Sequence, residues 1–203
     1  VPAEGRIAAV VLAAGASRRF GEDNKLLACI EGRPLVDRVV TSLATGGVTD
    51  IVVVTGHDRA ALEAALHGRP VNFVHNAGWE TGMGSSIAAG VAGLDVSAAG
   101  AFIVPGDVPL LSPQLVAALI SAFETGKHDR IIYPATPSGE QRNPVLWPRR
   151  HFGALLALPP DSGAKALLQL VATECVAVPA DEAALSDVDT AAELEAARNL
   201  ARS

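Results

Sequence analysis

Arg18, Arg19 and Lys25 crowd a short polar stretch that opens on the small residues Ala13 to Ala16 and carries the hydroxyl of Ser17. Small residues let the backbone approach a ligand closely, and clustered cations beside a hydroxyl make charge-assisted bonds to phosphate oxygens. The chemistry this points to is capture of a nucleoside triphosphate. The stretch is not a Walker A loop, because Lys25 is followed by Leu26 and the glycine spacing differs, and it is not a Gly-x-Gly-x-x-Gly fingerprint.

Acidic residues form a second constellation. Asp107 sits in Gly106-Asp107-Val108-Pro109, a turn that can present a carboxylate rigidly, and a hard oxygen ligand of that kind suits Mg2+ bridging to a triphosphate. Asp187 and Asp189 form a second carboxylate pair that shares one face of an extended segment. Thr190 and Glu193 have the spacing of a helix-capping box. In Gly82-Met83-Gly84-Ser85-Ser86, backbone groups can meet a base edge while Ser85 or Ser86 caps the next helix. The five histidines show no zinc-ligand spacing, and His57, although it follows Gly56 at a strand end, is not assigned as a base.

The elements that must position these residues alternate along the chain. Apolar runs at Ile7 to Ala13, Ile51 to Thr55, Val71 to His75, Ala101 to Val104 and Ile131 to Pro134 read as strands. Helical spacing covers Pro34 to Leu43, Ala60 to Leu66, Ser85 to Val91 and Leu115 to Phe123, the last with Ser112-Pro113 as its cap and first turn. Beyond residue 134 the pattern loosens: Val145 to Trp147 reads as an insertion or a sheet edge, Gly153 to Leu158 and Ala164 to Ala172 as helices, Cys175 to Val178 as a strand and Thr190 to Ala201 as a terminal helix. Alternation of this kind predicts an α/β fold with three layers, helices on both faces of a mostly parallel Rossmann-like sheet, and ligands beyond the carboxyl ends of the strands.

At 203 residues with 49% hydrophobic and 19% charged side chains, the chain suits a single domain over residues 1–203. A formal charge of −6 argues against electrostatically driven nucleic-acid binding. Two cysteines, Cys29 and Cys175, make no disulfide framework, and the apolar runs are strand-sized, so the expectation is a reduced cytoplasmic protein without a membrane span.

The first loop resembles that of the molybdenum cofactor nucleotidyltransferase, or MobA-like NTP transferase, family: Leu12, Ala14, Gly15, Ser17, Arg19, Gly21 and Lys25 match its Leu-Ala-Ala/Gly-Gly-x-Ser-x-Arg-x-Gly-x-x-Lys pattern, with Asp23-Asn24 lengthening the approach to lysine by one residue. The resemblance continues through Gly82 to Ser86, Gly106 to Leu110, Asn143-Pro144-Val145, Asp161 to Lys165 and Asp187 to Thr190. The Ala-Ala-Gly form looks like the cytidylyl branch. Departures are Asn143 where relatives have the histidine of Gly-His-Pro-Val, and Pro160 for a glycine in the late loop.

The resemblance implies a nucleotidyltransferase fold and a magnesium-dependent enzyme that transfers CMP from CTP to the terminal phosphate of a molybdopterin-bound cofactor, releasing pyrophosphate. It implies catalytic roles for Lys25, Arg19 and Asp107, and nucleotide contacts from Leu12, Ala13, Ala14, Gly15, Ser17, Arg18, Gly82, Ser85 and Ser86. Asp189 would join Asp107 as a metal ligand, and Asn143 and Lys165 would then face the phosphorylated pterin. A molybdenum hydroxylase or a maturation chaperone is the partner it suggests. GTP or ATP as donor, a sugar-phosphate or polyol-phosphate acceptor, and a nucleotide sensor without activity stay open as alternatives.

Overall fold

The computed structural model describes residues 5–17, 19–21 and 23–202. Strand β1, Ile7–Ala13, lies between β4 (Asp50–Thr55) and β6 (Gly100–Pro105), parallel to both. A short hairpin of β2 (Cys29–Ile30) and β3 (Arg33–Pro34) precedes helix α1, Leu35–Thr45. Helix α2 (Arg59–Ala65) leads to the edge strand β5 (Asn72–His75), and α3 (Met83–Ala92) returns the chain to β6. Helix α4 (Pro113–Thr125) follows, then β7 (Ile131–Ala135), β8 (Val145–Pro148), α5 (Phe152–Leu156), α6 (Ala164–Leu170), β9 (Cys175–Pro179) and α7 (Ala191–Ala201).

The seven-stranded sheet has the order β5-β4-β1-β6-β8-β7-β9. Alternation along β1 explains why it is flanked on both sides. Ile7, Ala9, Val11 and Ala13 enter a core with Val36, Val39, Val40 and Leu43 of α1 and Val116, Leu119 and Phe123 of α4. Val10 instead packs with Ile87 and Val91 of α3, Leu155 of α5 and Leu168 of α6. A strand buried on both faces needs the unbroken apolar run that the sequence shows. Helix α7 closes a smaller core, where Leu194 and Ala197 meet Ile30 and Leu35.

Helix boundaries follow from capping chemistry. The Ser112 hydroxyl accepts a hydrogen bond from the Leu115 amide at 3.1 Å, ahead of a first-turn proline. The capping box of α7 forms as the spacing predicts, with Thr190 and Glu193 reciprocally bonded.

Two expectations need correction. Segment 145–148 is not an edge or an insertion outside the sheet, because β8 runs antiparallel between β6 and β7. A four-residue apolar run is compatible with either strand direction, and only long-range pairing selects one. The helix expected over Gly153 to Leu158 is shorter, Phe152–Leu156. No helix among the described residues is long and apolar enough to cross a membrane.

Candidate active site

The site lies beyond the carboxyl ends of β1 and β6, where parallel strands splay and loop residues converge. Asp107 stands two residues past β6, in a loop whose Gly106 amide donates to the Leu12 carbonyl at 3.0 Å. Lys25 opens a 3-10 turn, Lys25–Leu27, capped by Asn24. Asp189 is delivered from the far end of the chain: the Val188 amide donates to the Asp107 carbonyl at 2.9 Å, and the Asp189 amide donates to Glu193 Oε2 at 2.8 Å. Backbone bonds thereby tie the end of β1, the Asp107 loop and the segment that carries Asp189.

Their side chains form one ionic cluster. Lys25 Nζ donates to Asp107 Oδ2 and to Asp189 Oδ1, the latter at 2.6 Å, and Arg19 Nη2 pairs with Asp189 Oδ2 at 2.7 Å. The Lys25, Asp107 and Asp189 side chains are only 13%, 14% and 21% exposed, whereas that of Arg19 is 75% exposed. Burial works against the Lys25 ammonium, but Asp107 and then Asp189 outweigh it and hold its pKa above the ordinary lysine value. Burial also pushes the Asp107 carboxyl up; Lys25 opposes that, while Asp187 and Asp189 add repulsion, and the net shift is upward. For Asp189 burial is again the largest influence and acts upward, yet Lys25 and Arg19 together bring the carboxyl below the usual range.

A cleft of about 430 Å³ opens over this cluster. Leu12, Ala14, Gly15 and Ser17 line it from the first loop, together with Arg19, Lys25, Asp107 and Asp189 of the ionic cluster and with Trp79, Gly82, Met83 and Ser86. A second lobe of about 240 Å³ shares Leu12, Met83 and Pro105 with the first and is lined by Arg142, Asn143, Lys165 and Asp187. The structure therefore brings Lys25, Arg19, Asp107 and Asp189 together and places Asn143 and Lys165 in the adjoining lobe. Asp187 and Asp189, two residues apart, serve different lobes.

Other expected contacts are placed differently. Ala13 is 1% exposed and its side chain belongs to the core beneath α1, so it does not line the cleft. Arg18 lies outside the described residues. Neither Ser85 nor Ser86 caps α3, whose N-cap residue is Gly82 and which has no side-chain cap. The Ser85 hydroxyl donates to the Gly82 carbonyl at 2.8 Å and accepts from Asn76 Nδ2 at 2.8 Å, leaving only Ser86 of the pair on the cleft wall. The glycines of this motif also serve packing: a Cβ on Gly84 would stand 2.1 Å from the Pro159 carbonyl oxygen, and one on Gly82, at φ +129°, 2.6 Å from that of Pro160.

Two residues that sequence reasoning passed over organise the walls. Asn76, 8% exposed, donates to both Ser85 and Ser86 and accepts from the Gly78 amide. Asn24, 7% exposed, braces the first loop. Asn24 sits in a polar run that reads as solvated and Asn76 just past a strand end, and the only signal of either is an amide side chain able to donate and accept at once.

Asp107 Oδ1 is buried with no hydrogen-bond partner among the described residues. An unpaired carboxylate oxygen, on a residue that shares Lys25 with a second carboxylate, offers a ligand for a hard cation. Among the described residues no group of three His, Cys, Asp or Glu side chains is placed to hold a metal ion, so phosphate and water oxygens would have to complete such a shell.

A family model for the MobA-like NTP transferase domain matches residues 9–181. The chain belongs to that family. As a member of the MobA-like NTP transferase family it is similar to nicotine blue oxidoreductase of Paenarthrobacter nicotinovorans, 32% identical over 65% of this chain and 64% of that protein. It is likewise similar to the bifunctional protein GlmU of Carboxydothermus hydrogenoformans, 35% identical over 61% of this chain and 27% of that one. The chain thus spans less than two thirds of the length of either relative. Among solved structures, 4-diphosphocytidyl-2C-methyl-D-erythritol synthase of Anaerococcus prevotii shares the fold with a TM-score of 0.78 at 14% identity, covering 98% of this chain and 96% of that one. One relative is named for a redox reaction, and family membership fixes a fold more firmly than a reaction, so the reaction has to be argued from the site.

Proposed function

We propose that this protein transfers a nucleotidyl group from a nucleoside triphosphate to a phosphorylated small molecule. The observation that carries the reading is Lys25 Nζ joining Asp107 and Asp189 beside a small-residue loop at the strand ends. An acceptor phosphate oxygen forms a bond to the α-phosphorus while the bond from that phosphorus to the β-bridging oxygen breaks, and pyrophosphate leaves with the electron pair. The acceptor phosphate is already a nucleophile, so no covalent enzyme intermediate is required.

Lys25 and Arg19 bind phosphate oxygens and offset the charge that builds on them at transfer, which in a partly buried site is worth far more than in water. Leu12, Gly15 and Ser17, with Gly82, Met83 and Ser86 on the cleft wall, orient the nucleotide. Asp107 and Asp189 would hold Mg2+, which when bound supplies charge neutralisation on the triphosphate.

CTP is the donor that the Ala-Ala-Gly form of the first loop favours. For the acceptor there are two readings. A molybdopterin phosphate follows from the motif resemblance, and its product would pass to a molybdenum hydroxylase or maturation chaperone. A sugar or polyol phosphate is better supported by the second lobe, where Glu140, Gln141, Asn143 and Asp187 offer donors and acceptors for hydroxyl groups and Arg142 and Lys165 offer cations for a phosphate. The fold shared with a synthase named for a diphosphocytidyl polyol product points the same way. Product mass spectrometry decides: CTP, GTP and ATP are each incubated with magnesium and with a metal-loaded molybdopterin, a sugar phosphate or a polyol phosphate. The reading expects one pairing to yield a nucleotidylated acceptor and pyrophosphate. Intact triphosphates in every pairing would overturn it.

A further inference from the structure

We propose that Asn24 is the positioning residue that aims Lys25 into the phosphate site, and that it does so as a matched donor and acceptor with Asp58. The kinetic consequence rests on the transfer reading above; the structural consequence does not.

Asn24 lies in the polar run Glu22-Asp23-Asn24-Lys25, yet its side chain is almost wholly enclosed. Its Oδ1 accepts from the Leu26 amide at 3.0 Å and from the Ser17 hydroxyl at 3.3 Å, and its Nδ2 donates to Asp58 Oδ2 at 3.2 Å. One side chain therefore ties the start of the phosphate loop, the turn that carries Lys25 and the loop after β4. The last of these is itself fastened to the first loop, since the His57 amide donates to the Ala14 carbonyl at 3.0 Å. Asp58 holds a left-handed backbone at φ +51°, a conformation Asp and Asn accept more readily than other side chains.

A lysine side chain has several rotatable bonds and no planar fork to fix its direction, so the backbone turn at its base determines where the ammonium dwells. Lys25 is the first residue of that turn and Asn24 is its cap. If capping were the whole role, aspartate would serve, because it is an equally good N-cap. The enclosed geometry asks for more: an oxygen toward Leu26 and Ser17 and an N–H toward a carboxylate. A carboxamide provides both on separate atoms, whereas a carboxylate has no donor and a hydroxyl has a single oxygen for both tasks.

The test uses the full-length chain and an exchange of the two groups. Asn24→Asp keeps the cap, removes the donor and sets two carboxylates against each other. Asp58→Asn alone leaves an acceptor oxygen for Asn24 Nδ2. The double variant Asn24→Asp/Asp58→Asn restores one donor and one acceptor with their direction reversed.

With the acceptor phosphate that turns over above, kcat should fall at least tenfold in Asn24→Asp while KM for CTP changes less than threefold. Asp58→Asn and the double variant should stay within threefold of the unmodified protein. A readout free of turnover comes from side-chain 15N NMR, since Lys25 is one of three lysines with Lys127 and Lys165. The Lys25 ammonium should give an exchange-protected resonance in the unmodified protein, lose protection in Asn24→Asp and regain it in the double variant. Asn24→Ser, which caps without charge and cannot reach Asp58, should lose protection as well and covers the case in which Asn24→Asp does not fold. Wild-type protection in Asn24→Asp and in Asn24→Ser, or a double variant that melts normally but regains neither protection nor turnover, overturns the proposal. Absence of transfer in every protein with the NMR pattern intact overturns the transfer reading alone.

Discussion

Lys25 is surrounded by more negative charge than it can neutralise alone, with Asp107 and Asp189 both in contact and Arg19 sharing the second. That balance makes unequal demands on the four side chains. Replacing Lys25 or Asp107 by alanine should lower kcat by about 10²-fold or more, in line with the loss of one aligned group in a shielded site, with an unchanged circular dichroism spectrum. Arg19 is mostly exposed, and its replacement should cost less. A second ionic group lies away from the cleft and serves stability. Asp37 accepts from Arg33 Nη2 at 2.8 Å and from Arg69 Nη2 at 2.9 Å. Burial pushes this carboxyl up, but Arg69 and Arg33 outweigh it and bring it below the usual range. A lowered folded-state pKa gives stability that is present above about pH 4, the ordinary aspartate range, and disappears as the pH falls through the folded value. Asp37→Asn should therefore destabilise by about 1–3 kcal/mol at neutral pH, with the gap between the two melting curves closing in acid.

At the level of elements, the cleft depends on α3 sitting closer to the loop before α6 than any side chain would allow. Gly84→Ala should force that loop away and cost about 1–3 kcal/mol, read as a drop in urea midpoint without a change in slope. The sequence shows the glycines but not their purpose: a Gly-x-Gly read as room for a base is largely room for the Pro159 and Pro160 carbonyls. Strand β1 was legible to its end residues because burial on both faces demands a continuous apolar run, and α7 because its capping box is local chemistry. Strand β8 was not, since its direction and its place between β6 and β7 are set by partners that follow no local rule. Asn24 and Asn76 escaped for a related reason. The polar run around Asn24 and the strand-end turn around Asn76 look like solvated loops until the fold encloses them.

Across the whole molecule, a formal charge of −6 coexists with a cleft in which Arg19 and Lys25 stand among Glu80, Asp107 and Asp189, so the two cations act on a phosphate locally while the site as a whole is not positive. A ligand that binds only the folded protein stabilises it by mass action, by about 2.7 kcal/mol at one hundred times Kd. For a chain of this size that corresponds to a rise in Tm of roughly 5–10 °C. CTP should raise Tm more than GTP or ATP, and Lys25→Ala should abolish most of the rise. An equal rise with all three nucleotides would remove the base preference while leaving the phosphate site in place.

The reaction itself is followed most directly by 31P NMR of CTP and magnesium with the phosphorylated acceptor that yields product. The wild-type protein should convert the triphosphate signals into pyrophosphate and a new diphosphate ester in equal amounts, and Lys25→Ala and Asp107→Ala should leave them nearly unchanged over the same period. Conversion by both variants at the wild-type rate would contradict the account.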